Sequence, residues 1–208
     1  KDHKYTIGEI NQLVMQPLTK GFEAELWNTL YYNTKVTPYF IFTEYDLPNP
    51  KYYDPKTKNI YIKLSQFQKD SDFDKTRGMI EELLHAMTVP KLNEYKDSVE
   101  YKALDEDYQI AKELKETYKE TEQYQSLSDT QKSQMDRMVD YYLQNIEEFT
   151  VGISDPYFRA FLRLGQSKDQ NLLESLIERV KKLLNKILKG FAPSLYTDVT
   201  SDVFNFIF

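Results

Sequence analysis

Between Ile7 and Tyr32 the apolar positions of this chain fall at helical intervals. Ile10, Leu13 and Val14 share one face, and Phe22, Leu26, Trp27 and Leu30 continue after a break near Pro17 and Gly21. The pattern then shortens. Pro38-Tyr39-Phe40-Ile41-Phe42 is an aromatic, β-branched run of strand length, and Leu47-Pro48-Asn49-Pro50 interrupts regular structure after it. A turn at Asp54-Pro55-Lys56-Thr57-Lys58-Asn59 leads into Ile60, Ile62 and Leu64, which alternate with polar or amphipathic neighbours as on a half-exposed strand. Asp70 to Asp74 supply capping residues for a helix from about Phe73 to Thr88, which Pro90 helps to end.

The second half reads as helical. Val99, Ala103, Leu104, Ile110, Ala111 and Leu114 form a partial stripe in the Glu-, Lys- and Tyr-rich stretch Ser98 to Tyr124, which predicts one long, substantially solvated helix. Ser128-Asp129 caps another, carried by Met135, Met138, Val139, Tyr142 and Ile146 to at least Phe149. Asp155-Pro156 opens a short helix with Phe158, Phe161 and Leu162. Asn171 to Lys189 is strongly amphipathic and stops at Gly190. The tail, Phe191 to Phe208, ends in Val-Phe-Asn-Phe-Ile-Phe, an alternation that suits a terminal strand or a partner-binding segment. With no internal repeat and no clear linker, the pattern predicts one α+β domain, residues 1–208, with a small mixed sheet and a helical C-terminal half.

Composition narrows the chemistry. A hydrophobic fraction of 40% places the 208 residues among soluble globular proteins. A net charge of −6 argues against a broad nucleic-acid-binding surface. No apolar run approaches the roughly 20 residues that span a bilayer. The absence of cysteine removes disulfides, thiolate metal sites and thiol nucleophiles together. None of the six glycines forms a phosphate-binding loop. Only two histidines exist, His3 and His85.

His85 lies in the informative stretch, Met79-Ile80-Glu81-Glu82-Leu83-Leu84-His85-Ala86-Met87-Thr88. Residues four apart meet on one helical face, so Glu81 and His85 can converge on one point. Glu82 stands one step round the helix, within reach of a water there, and Leu83 and Leu84 face the core. By itself the pattern also describes a charged helix with surface glutamates and one packed histidine.

Four pieces together resemble the zincin-like metallopeptidase domains of phage and mobile-element (large polyvalent) proteins. Tyr52 to Ile62 looks like the edge strand before the active-site helix, Glu81 to Thr88 like that helix, and Asn145-Ile146-Glu147-Glu148-Phe149 like the later ligand-bearing helix. Asp155-Pro156-Tyr157-Phe158 resembles the segment after the ligand-bearing helix in such domains, and the likeness covers roughly residues 36 to 165. It implies a zincin-like fold, a Zn²⁺ cofactor and peptide-bond hydrolysis in a phage virion or host cytoplasm. His85 and Glu148 would be metal ligands, with Glu147 as fallback, and Glu82 the general base. Ile60, Tyr61 and Ile62 would hold a peptide or protein substrate by strand pairing.

The family's first histidine falls on Glu81, and no spare histidine replaces it. Glu81 either ligates the metal itself, marks a lost site on a peptide-binding or structural module, or marks an inactivated variant. Rival readings use other features. The helices at 98–124 and 171–189 could dock a partner. Arg179, Lys181, Lys182, Lys186 and Lys189 could meet a membrane surface. Glu81, Glu82 and Glu148 could also hold Mg²⁺ in a nuclease-like site.

Overall fold

In a computed structural model, residues 2–15, 21–33, 37–92, 94–167 and 170–188 are described. They are mixed α and β and divide into two compact units, one running to Lys91 with Ile187 and Leu188, the other from Leu92 to Lys186.

In the first unit, β1 (His3–Tyr5) precedes α1 (Ile7–Met15) and α2 (Phe22–Asn33). These helices bury the predicted Ile10, Val14, Phe22, Leu26, Trp27 and Leu30, whereas Leu13 is half exposed. The Trp27 indole N–H donates to Asn11 Oδ1 at 2.7 Å. Then come β2 (Phe40–Thr43), β3 (Lys51–Asp54), β4 (Asn59–Lys63) and a single turn of helix, α3 (Leu64–Phe67). The sheet order is β1-β2-β4-β3, with β2 and β4 parallel and the other neighbours antiparallel.

Register sorts the sheet into two faces, because directly paired residues point the same way. Phe40, Phe42, Tyr53, Ile60 and Ile62 are buried on the inner face. Lys4, Ile41, Tyr61 and Tyr52 form one cross-strand row on the outer face, exposed or half-exposed. Placing β4 between two partners corrects its assignment as an edge strand. Its alternation fits any strand with one buried face, and only topology decides which strand is last.

The following helix, α4 (Asp72–Leu92), runs through Pro90, correcting the expected end near Thr88. A proline's fixed φ is helical, and in a last turn it forfeits only one backbone hydrogen bond. Leu92 beyond it is buried. No described helix is long and apolar enough to cross a membrane.

The second unit departs from the sequence pattern at two breaks. The stretch expected as one helix from Ser98 to Tyr124 divides into α5 (Val99–Leu114), a 3-10 turn at Tyr118–Glu120 and α6 (Glu122–Ser126). The break occurs because Tyr118 and Tyr124 turn inward. Both phenols donate to Asp136, Tyr118 at 2.5 Å and Tyr124 at 3.0 Å, while Lys119 Nζ reaches its other oxygen at 2.6 Å. The helix expected from Ser128 past Ile146 likewise stops early. It becomes α7 (Asp129–Tyr142), opened by a Ser128–Gln131 capping box, and α8 (Ile146–Val151), opened by Asn145.

Next, α9 (Pro156–Arg163) starts on the Asp155 cap as expected. Two antiparallel two-residue strands, β5 (Gln166–Ser167) and β6 (Gln170–Asn171), come before α10 (Leu172–Leu188). Strands this short have no periodic signature. Within this unit α10 buries Leu172, Leu173, Leu176, Ile177 and Val180, and Ser175 Oγ donates to the buried Asp107 of α5 at 2.6 Å. Core packing accounts for that apolar stripe. Gly190 and the predicted terminal strand lie outside the described residues.

Burial alone would raise the Asp136 carboxyl. Hydrogen bonds from Lys119, Tyr118 and Tyr124, with the Lys119 charge, outweigh it and hold the group below its usual range. Asp136→Asn should lower stability by roughly 2 kcal/mol, or about 4–8 °C in thermal midpoint. A depressed carboxylate stabilises fully above its unfolded pKa of about 3.9 and loses that effect as pH falls through the folded value. Thermal melts across pH should therefore show the gap between native chain and variant closing only in strong acid.

Candidate metal centre

From Gly78 to Thr88, α4 is buried on every side. Met79, Ile80, Leu83, Leu84, Ala86 and Met87 supply the apolar surface such a segment requires, and Thr88 satisfies its hydroxyl internally on the Leu84 carbonyl at 2.8 Å. Into this segment the sequence inserts Glu81, Glu82 and His85, exposed by only 9, 6 and 8%. They are not surface glutamates on a solvated helix. Holding ionisable groups at this depth demands counter-charge or hydrogen bonds, since an uncompensated buried charge costs several kcal/mol.

Glu148 comes from α8, and its position follows from its neighbours. Asn145 Oδ1 accepts the Glu148 backbone N–H at 2.8 Å, which starts the helix immediately before it. Phe149, next in sequence, is fully buried and meets Tyr108 at 5.3 Å and Phe158 at 6.1 Å between ring centroids. Phe158 in turn packs on Tyr142 and Phe161, and a Cβ on Gly152 would overlap the Phe158 ring. Cap and ring thus fix the Glu148 backbone from both sides.

Glu81, His85 and Glu148 each offer one ligand atom, and these three atoms lie within 4.8 Å of one another. Such a group could hold a metal ion. One imidazole nitrogen and two carboxylate oxygens are also a chemically competent set for a divalent metal. The group uses Glu148, not the fallback Glu147, which lies near the Tyr101 phenol and helps raise its pKa after the larger effect of burial. Glu82 shares the buried stretch but is not in the group. His3 is in β1, exposed and paired with Phe42.

The substrate-binding assignment changes most. Ile60 and Ile62 are fully buried, and β4 is hydrogen-bonded to β2 on one side and β3 on the other. Ile60, Tyr61 and Ile62 therefore have no free strand edge to offer a peptide. Among the described residues the outermost strand on this side of the sheet is β3, most of which falls in the Tyr52 to Ile62 stretch likened to the edge strand.

No protein-family model, curated protein or solved structure matches the chain.

Asn145→Ala removes the cap that starts α8 and should cost about 1 kcal/mol of stability. Because Glu148 is the residue the cap holds, any divalent-metal affinity measured by calorimetry should fall at least about tenfold. Asn145→Asp, an equally good cap, should recover both.

Proposed function

We propose that the chain is a zincin-like, metallopeptidase-type domain with an unusual one-histidine metal centre and correspondingly weak hydrolytic capacity. The observation that carries this reading is the meeting of Glu81, His85 and Glu148 within 4.8 Å. It is supported by the resemblance of residues 52–62, 81–88 and 145–149 to such domains, and by the depth at which the helix holds its ionisable side chains.

Glu81, His85 and Glu148 would hold the ion. Two carboxylates and a neutral imidazole bring a divalent cation to a formal charge of zero, where two imidazoles and one carboxylate leave it at +1. A bound ion supplies Lewis acidity and a more acidic water, and both are weaker at the less positive centre. The extra oxygen also shifts preference toward Mn²⁺ and other hard ions. Glu82 is the proton carrier. Its carboxylate takes a proton from water and returns it to the leaving amine. A peptide substrate would pair with the outer side of β3, where no further strand pairs among the described residues.

Calorimetric titration with Zn²⁺ and Mn²⁺ should show one ion per chain. Glu81→Gln, His85→Ala and Glu148→Gln should each weaken binding at least about tenfold, while Glu82→Gln retains it. Glu81→His should bind Zn²⁺ more tightly than the native chain and cleave casein faster, and adding Glu82→Gln should abolish that gain. Metal uptake by neither the native chain nor Glu81→His would sink the reading.

A further inference from the structure

Lys51 opens β3 on the inner face of the sheet, directly opposite Ile62. Its aliphatic stem crosses α4 at Gly78, where a Cβ would overlap its Cδ and Cε. Its Nζ reaches Asp70 Oδ2 at 2.6 Å, and Gln66 Nε2 donates to the other Asp70 oxygen at 2.9 Å. The ion pair is well enclosed, with side chains 17 and 11% exposed. Burial would raise the Asp70 carboxyl, but hydrogen bonds from Lys51 and Gln66 and the charges of Lys51 and Lys75 hold it low.

Glycine is a poor helix former, so Gly78 inside α4 calls for a local reason. A side chain there would have to displace the Lys51 stem, and the bond to Asp70 opposes that displacement. Gly78 precedes Glu81, Glu82 and His85 by three, four and seven residues, which puts all four on one stripe of the helix. The stem therefore crosses the stripe of ionisable side chains one turn before it begins. Lysine stems commonly lie along apolar surface with the ammonium exposed; here the ammonium is pinned as well, and one side chain fixes strand to helix.

We propose that Lys51 is a positioning residue: seated over Gly78 and bound to Asp70, it sets where the outer strand β3 runs relative to Glu81, Glu82 and His85, and so where a peptide paired with β3 meets them. The last clause rests on the metallopeptidase reading of the site. The seat itself does not.

The test compares Gly78→Ala, Lys51→Ala, the double variant and Lys51→Arg in the full chain. Gly78→Ala should lower the thermal midpoint in the native background and raise it in the Lys51→Ala background, where the overlap is gone and alanine is the better helix former. Either single variant should speed amide exchange in the β3–β4 ladder. In Zn²⁺-loaded protein, Zn²⁺ affinity should stay unchanged. The preference for a short peptidyl hydroxamate over acetohydroxamate should fall at least about tenfold. Lys51→Arg, which keeps the stem and its reach to Asp70, should retain the preference. Additive effects of Gly78→Ala and Lys51→Ala, or unchanged ladder exchange, would overturn the seat. An unchanged hydroxamate preference in variants whose ladder exchange rises would overturn its role in positioning. Failure of the native chain to bind Zn²⁺ would overturn the site reading and the last clause with it, while the midpoint and exchange measurements still decide the seat.

Discussion

A helical segment, Gly78 to Thr88, that is buried all round and yet carries two carboxylates and an imidazole within five residues sets the terms for everything near it. Apolar neighbours alone cannot hold such a segment, because desolvating its ionisable groups opposes the gain from burying Met79, Ile80, Leu83 and Leu84. Surrounding structure has to supply compensation. A divalent cation shared with Glu148 would do so for Glu81 and His85. The same charge argument limits the chemistry, since each carboxylate that stabilises the ion also blunts it as a Lewis acid.

The remaining architecture holds backbone segments in place around that constraint. In the first unit, Lys51 crosses α4 to Asp70, and the inner face of the sheet presents aromatic and branched side chains. In the second, a continuous run of rings from Tyr108 through Phe149, Phe158 and Phe161 to Tyr118 and Tyr124 ends on the Asp136 carboxylate. Polar anchors sit at the margins of that run, where phenols and carboxylate satisfy one another without entering its apolar middle.

Much of this is legible in the residues. The stripes of α1, α2, α9 and α10 follow the helical period, the Asp155 and Ser128 caps open helices where expected, and β2 and β4 coincide with the short apolar runs. The spacing of Glu81 and His85 makes their convergence readable, but joining Glu148 to them draws on a resemblance, because periodicity says nothing of which distant residue shares a site. The breaks at 115–121 and 143–145 stay hidden for a common reason. Each lies inside a helical stripe and depends on tertiary contacts, through Tyr118 and Tyr124 in one case and Phe149 in the other, with Thr121 and Asn145 capping the helix that follows. The order of strands is hidden too: local alternation reports a buried face and is silent about neighbours. β1, three residues long and mostly exposed, has no pattern to report.

The adjacency of Glu148 and Phe149 also bears on how this chain can drift. A ring buried in a core usually tolerates replacement by another apolar residue of similar volume, since the surrounding side chains can repack. Here the neighbouring residue is also a carboxylate of the candidate metal group, and a small rotation of α8 absorbed without loss of folding would still displace its oxygen. Position 149 should therefore accept fewer residues over evolutionary time than its packing alone would allow. Its spectrum of tolerated substitutions would widen in any lineage where the position of the Glu148 carboxylate ceased to matter.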